Sequence, residues 1–230
     1  MRTRLLVVLA HPDDETFGCG GTIALQTQAG ATVTYVCATL GEMGRNMGKP
    51  IIATRESLPT IREQELREAC RILGIQDLRL LGLRDKTVEF VDPALLASQV
   101  AAIIKEVNPS LIITFYPGYG VHPDHNAIGA ATVRAVASMP ADQQPPVYCR
   151  AFGAKSVELG APDVVVDITA VQDVKMAAVA AHRSQSQLML ESFEARAAQS
   201  KATREQMESM KTKEQYWQYR ISEIDDAEQH

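Results

Sequence analysis

Nothing in this chain of 230 residues is long and apolar enough to cross a bilayer, which takes about 20 consecutive residues. The amino terminus, Met1-Arg-Thr-Arg-Leu-Leu-Val-Val-Leu-Ala10, has the basic start of a signal peptide. Its apolar stretch is short, however, and runs into His-Pro-Asp-Asp-Glu15 with no cleavage context. A cytoplasmic protein without a membrane partner is the expectation. The four cysteines, Cys19, Cys37, Cys70 and Cys149, form no CxxC pair. Three of them sit in segments that read as strand or helix interior, so reduced core thiols are expected over disulfides or a thiolate metal site. Long basic runs are missing, as is any basic stripe interleaved with aromatics. With a net charge of -5 this argues against nucleic acid as a partner. Repeats, low-complexity tracts and linkers are absent too, and residues 1–230 read as one domain.

What is present is a soluble composition, 46% hydrophobic and 22% charged, sufficient for one sizeable core. Strand and helix patterns alternate. Leu5–Leu9 is a continuous apolar run suited to a strand buried on both faces. A Gly-rich turn and a short helix over about 21–29 follow, then a strand at 33–38. Gly41–Pro59 has few periodic apolar positions and reads as a mobile loop near the site. The Thr60–Glu63 pair has capping-box spacing and opens a helix with Leu66, Ala69, Cys70 and Leu73 on one face. Residues 78–81 form a short strand. Asp92-Pro93 starts a helix to about Val107, and 110–116 is a buried strand. Residues 126–138 read as helix, 147–152 and 163–168 as strands. A second capping box at Thr169–Gln172 opens a helix to about Gln187, and the segment beyond about 190 is charged and helical. Strands separated by helices imply right-handed βαβ units. The expected fold is α/β: a single doubly wound, mostly parallel, Rossmann-like sheet with helices on both faces.

Ligands of such sheets bind beyond the carboxyl ends of the strands, where chain order reverses. Two polar segments fall there: Ala10-His-Pro-Asp-Asp-Glu15 after the first strand and Gly120-Val-His-Pro-Asp-His125 after the 110–116 strand. They hold three of the five histidines. A catalytic zinc site wants three nitrogen or oxygen ligands and one open position, and His11, Asp13, Asp14, His122, Asp124 and His125 are the candidates. Either segment alone could be a polar turn capping a helix; their joint placement at two strand ends points to a metal.

These motifs resemble the LmbE-like superfamily of zinc deacetylases, the PIG-L family. Thr39-Leu-Gly-Glu-Met-Gly44, Arg62 before Glu65-Leu66, Asp85 after Gly82-Leu-Arg84, Lys175 and Ala181-His-Arg-Ser-Gln185 match further family positions, so the likeness covers about residues 4–187. The resemblance implies one Zn2+ on His11, Asp14 and His125, with other divalent metals able to substitute. It implies Asp13 as the general base, and His122, kept charged by Asp124, as the group that stabilises the oxyanion or assists the leaving amine. Some relatives place a tyrosine before the second motif; here Gly120-Val121 precede it, and Tyr119 is the candidate for that role.

Gly41–Pro59 and Pro117–His122 are similar to the deacetylases of bacillithiol biosynthesis, which act on N-acetylglucosaminyl malate. That implies a small N-acetylated amino-sugar substrate whose malate carboxylate meets Arg45, Arg55 or Arg62, with Glu42 and Asp85 also lining the site, and a homo-oligomer, hexamer or trimer. Alternatives are an amidase of thiol conjugates, a deacetylase of chitin oligosaccharides or an antibiotic precursor, and a nucleotide-binding module. The last rests on Gly18-Cys-Gly-Gly21, which lacks full GxGxxG spacing.

Overall fold

The first strand, β1 (Arg4–Leu9), forms where Leu5–Leu9 leave no polar face, and all five side chains are fully buried. The computed structural model describes residues 3–46 and 48–221; Met47, within the loop at 41–59, lies outside them, as do both chain ends. The elements that follow are α1 (Asp14–Gln28), β2 (Thr32–Cys37), α2 (Leu58–Leu73), β3 (Asp77–Leu80), α3 (Pro93–Val107), β4 (Leu111–Phe115) and α4 (Pro123–Ala137). Then come β5 (Val147–Arg150), β6 (Val164–Asp167), α5 (Gln172–Ala181), α6 (Arg183–Gln199), α7 (Lys201–Thr212) and β7 (Lys213–Gln218).

Seven strands make one sheet in the order β3-β2-β1-β4-β5-β7-β6. The first five in that order run parallel, and β7 enters antiparallel to both β5 and β6. This is the expected mostly parallel α/β architecture. Chain order reverses between β1 and β4, which pair Leu5 with Leu111 and Val7 with Ile113, so the loops leaving these two strands face each other at the switch point.

Local departures from the sequence reading have physical causes. The first helix begins at Asp14, not near Gly21, and passes through the glycines with a kink at Cys19. The glycines serve packing: a Cβ on Gly21 would lie 2.5 Å from Ile168. α2 starts at Leu58 with Ser57 at its cap, so Thr60–Glu63 lies inside the helix. α4 starts at Pro123, which makes His122 its N-cap; the imidazole Nδ1 accepts the Asp124 N–H at 3.1 Å. The 172–187 helix is broken at His182, whose ψ of 53° is not helical. The end of the charged helical segment is instead the strand β7.

β7 is fastened by a buried ion pair. Glu214 accepts from the backbone N–H groups of Gly21 and Thr22, from the Thr22 and Tyr216 hydroxyls, and from Lys175 Nζ at 2.7 Å. Glu214 is 1% exposed and Lys175 4%. The loop at 41–59 is irregular up to 57, as expected, but tethered: Gln185 donates to the Arg45 carbonyl, and Gln187 bonds both the N–H and the C=O of Lys49. Among the described residues no helix is long and apolar enough to cross a membrane.

Candidate active site

His11 leaves β1 at its carboxyl end, and Pro12 and Asp13 turn the chain into α1. Asp14, in the first helical turn, returns its carboxylate to the His11 N–H at 2.7 Å. His125 comes from the first turn of α4, its ring stacked on Phe115 with centroids 3.9 Å apart. The result is a triangle of acceptor atoms. His11 Nδ1 lies 3.1 Å from His125 Nε2 and 3.5 Å from Asp14 Oδ2, and His125 Nε2 lies 3.3 Å from Asp14 Oδ1.

Hydrogen bonds on the far side of each ring determine which nitrogen is free. His11 Nε2 faces Asp124 Oδ2 and Asp85 Oδ1, both at 3.2 Å, so its proton belongs there. His125 Nδ1 donates to the Gly120 carbonyl at 2.8 Å. Two imidazole lone pairs and a carboxylate therefore converge with no proton of their own to share. Bonds of about 2.0–2.1 Å to a tetrahedral ion place ligand atoms roughly 3.3 Å apart, which is the spacing observed. The donor set fits a divalent cation with an open position, and its outer partners are the carboxylates and carbonyl that such ligands require.

The charge balance agrees. Burial works to lower the pKa of His11, but Asp124, Asp14 and Asp85 overcome it and raise it to about 11. Burial raises Asp14, yet His125 and His11 hold it well below the carboxylate range. The cluster attracts positive charge, supplied by a proton or by a metal ion. A second grouping, His11, Asp85, His122 and Asp124, is also close enough for a cation. There Asp124 is already engaged by the N–H groups of Lys86 and Val88 and by His11, which leaves it fewer free lone pairs for a cation than Asp14 has.

Asp13 lies beside this triangle in a cleft of about 340 Å³. Burial, opposed by Arg62, raises its pKa to about 6. Burial and the neighbouring His11 lower the pKa of His122.

A model of the PIG-L family, described as GlcNAc-PI de-N-acetylase, matches residues 6–136. The probable N-acetyl-alpha-D-glucosaminyl L-malate deacetylase 2 of Bacillus cereus is 50% identical, over 96% of this chain and 99% of its own. Its namesake in Bacillus subtilis is 49% identical over 95% and 98%. The chain belongs to the PIG-L (LmbE-like) family. It is a deacetylase, a hydrolase acting on an amide bond. Among solved structures, the N,N'-diacetylchitobiose deacetylase of Pyrococcus horikoshii superposes with a TM-score of 0.73 at 23% identity, over 96% of this chain and 85% of that one. A conserved protein of Thermus thermophilus gives 0.69 at 29%, over 93% of each.

Within this PIG-L chain, several residues sit otherwise than the sequence reading has them. Asp124 does not hold His122 charged: its Oδ2 is 4.0 Å from His122 Nδ1, and that nitrogen accepts a backbone N–H. His122 is thus a neutral imidazole with its Nε2–H free to donate. Arg62 borders the cleft but is only 4% exposed, its guanidinium engaged by the carbonyls of Gly41 and Pro12 and by the Asp13 carboxylate. Gly41 is required there, since a Cβ on it would collide with the guanidinium. Asp85 does line the cleft, packed against His11 and the Met43 N–H, whereas Glu42 does not and instead accepts the Asp85 N–H. Arg55 is exposed and does not line the cleft, and Tyr119 turns its hydroxyl to Glu158, 3.4 Å away. Arg45 does line the cleft, together with Lys86, which the sequence reading passed over. It also passed over Glu15 and His182 as site residues, although both stand in motifs it recognised. A buried pair formed across the whole fold has no local signature.

Proposed function

We propose that this chain hydrolyses the acetamide of an N-acetylglucosamine conjugate, N-acetylglucosaminyl malate in bacillithiol biosynthesis, with Zn2+ held by His11, Asp14 and His125. The convergence of the two imidazole lone pairs on the Asp14 carboxylate carries the reading. Bound there, zinc supplies a Lewis acid that polarises the amide and acidifies water towards a pKa of about 7.

The residues of the chain do the rest. Asp13, its carboxylate kept in place by Arg62, accepts the proton of the attacking water; a pKa of about 6 suits a base near neutral pH. The water oxygen bonds to the acetyl carbon as His122 donates its Nε2–H to the developing oxyanion. The C–N bond then breaks, and Asp13 returns its proton to the amine, leaving acetate and the free amino sugar. Arg45 and Lys86 are the cations lining the cleft that remain for a carboxylate on the aglycone, because Arg62 is spent internally. A bidentate arginine contact to that carboxylate favours the malate conjugate over the bare sugar. The relatives of the same name, half identical over nearly the whole chain, support this substrate.

The decisive assay is release of free amine by zinc-loaded protein from N-acetylglucosaminyl malate, with N-acetylglucosamine in parallel. Release from the conjugate far above that from the sugar is expected. Equal rates on both would remove the carboxylate contact, and no release from either would remove the substrate class.

A further inference from the structure

Asp13 has a φ of 105°, a backbone conformation that side-chain-bearing residues avoid. Such a conformation persists only where the surroundings over-determine it. One constraint is the Asp13 N–H, which donates to Glu15 Oε2 at 3.0 Å. The other oxygen of the same carboxylate receives His182 Nε2 at 2.6 Å. Glu15 and His182 are both 0% exposed. His182 stands at the break between α5 and α6, and that break is itself pinned: the N–H and hydroxyl of Ser184 both donate to Glu65, at 2.7 and 2.6 Å.

This chain of contacts runs from the break between α5 and α6 to the backbone of one cleft residue. His182 does not line the cleft, so it can touch neither substrate nor metal. Stability alone does not account for it, because a buried ionic pair is commonly matched or bettered by apolar residues of similar volume. What an apolar pair could not do is accept the Asp13 N–H. We propose that His182 is a positioning residue of the reaction: through Glu15 it holds Asp13 in its left-handed conformation, and so keeps the Asp13 carboxylate directed into the cleft. The inference rests on the reading of Asp13 as the base. An ångström of misplacement at a reacting group can cost about 100-fold.

The test uses His182→Leu and His182→Gln, each in the wild-type chain and in the Asp13→Asn chain. Glutamine carries an N–H near the place of Nε2; leucine has none. In the wild-type chain His182→Leu lowers kcat about 10- to 100-fold with KM within about twofold. The visible spectrum of the cobalt-loaded protein stays unchanged, and His182→Gln recovers most of the loss. In the Asp13→Asn chain His182→Leu costs nothing further, as expected of residues acting as a unit. A wild-type kcat in His182→Leu, an equal loss in both variants, an altered cobalt spectrum or an undiminished loss on the Asp13→Asn background would each overturn the proposal. If His182→Leu does not fold, His182→Asn replaces it, its amide being too short to reach Glu15. Failure of the parent reading is visible separately, as an Asp13→Asn chain that keeps full activity before any His182 variant is measured.

Discussion

Asp13 and Asp14 are adjacent carboxylates with opposite surroundings, and the proposed roles of base and ligand rest on that difference. Asp14 faces two imidazoles that pull its pKa down; Asp13 faces an arginine and a buried interior that leaves it near 6. Asp13→Asn keeps the shape and the metal ligands but removes the proton acceptor. It is expected to retain stoichiometric zinc while losing about 10²–10⁴ in kcat, read by metal analysis beside turnover. Asp124 acts one step further out. Asp124→Asn weakens the acceptor behind His11 Nε2 and leaves the triangle intact, so zinc affinity drops about 10- to 100-fold, measured by competition with a chelator. An affinity equal to wild type would detach Asp124 from His11. The two motifs made His11, Asp13, Asp14, His122, Asp124 and His125 readable as candidates, because their spacing is short and their strand ends predictable; the choice of His11, Asp14 and His125 among them came from the family resemblance. Partners set by the fold, such as Arg62 on Asp13 or Lys86 in the cleft, were not readable: a cation's exposure depends on packing that sequence spacing does not encode.

At the scale of elements, the Glu214–Lys175 pair decides whether β7 stays between β5 and β6. Burial raises the Glu214 pKa, but Lys175 and the Thr22 donors bring the net value down. A carboxylate with a folded pKa below its unfolded one contributes stability that is present above about pH 4.5 and lost as pH falls through the folded value. Glu214→Leu leaves the Gly21 and Thr22 N–H groups and Lys175 buried without an acceptor, and should cost about 3–5 kcal/mol in urea unfolding. It should also flatten the loss of stability below pH 4.5. Lys175→Met costs less, since four donors still satisfy Glu214, and the double variant recovers part of the single loss. If Glu214→Leu unfolds at the wild-type midpoint, the pair does not anchor β7. The parallel strands were legible as apolar runs, Leu5–Leu9 and Leu111–Phe115 above all. β7 was not, because Lys213-Glu-Gln-Tyr-Trp-Gln218 carries its alternation on a buried glutamate, which reads as a charged helical surface until Lys175 is known to meet it.

For the molecule as a whole, the triangle of His11, Asp14 and His125 spans the two halves of the sheet. His11 and Asp14 follow β1, while His125 follows β4, so an ion bound by all three bridges the switch point where the chain order reverses. Without it, the Asp14 carboxylate and the imidazoles 3.1–3.5 Å apart are balanced by protons, since, against burial, the neighbouring carboxylates raise the pKa of both His11 and His125. An ion that binds the folded chain and not the unfolded one stabilises by about 2.7 kcal/mol at 100 times its Kd. In a domain of this length that corresponds to a rise in Tm of roughly 5–10 °C. Stripping the metal with a chelator should therefore lower the melting temperature by that margin, and restoring zinc should return it. His125→Ala should melt near the stripped protein and respond little to zinc, because its remaining ligands lie on one side of the switch point only. A wild-type melting temperature insensitive to the chelator, with zinc analytically removed, would show that the ion does not join the halves. A zinc response undiminished in His125→Ala would place the ion at the neighbouring His11, Asp85, His122 and Asp124 grouping instead.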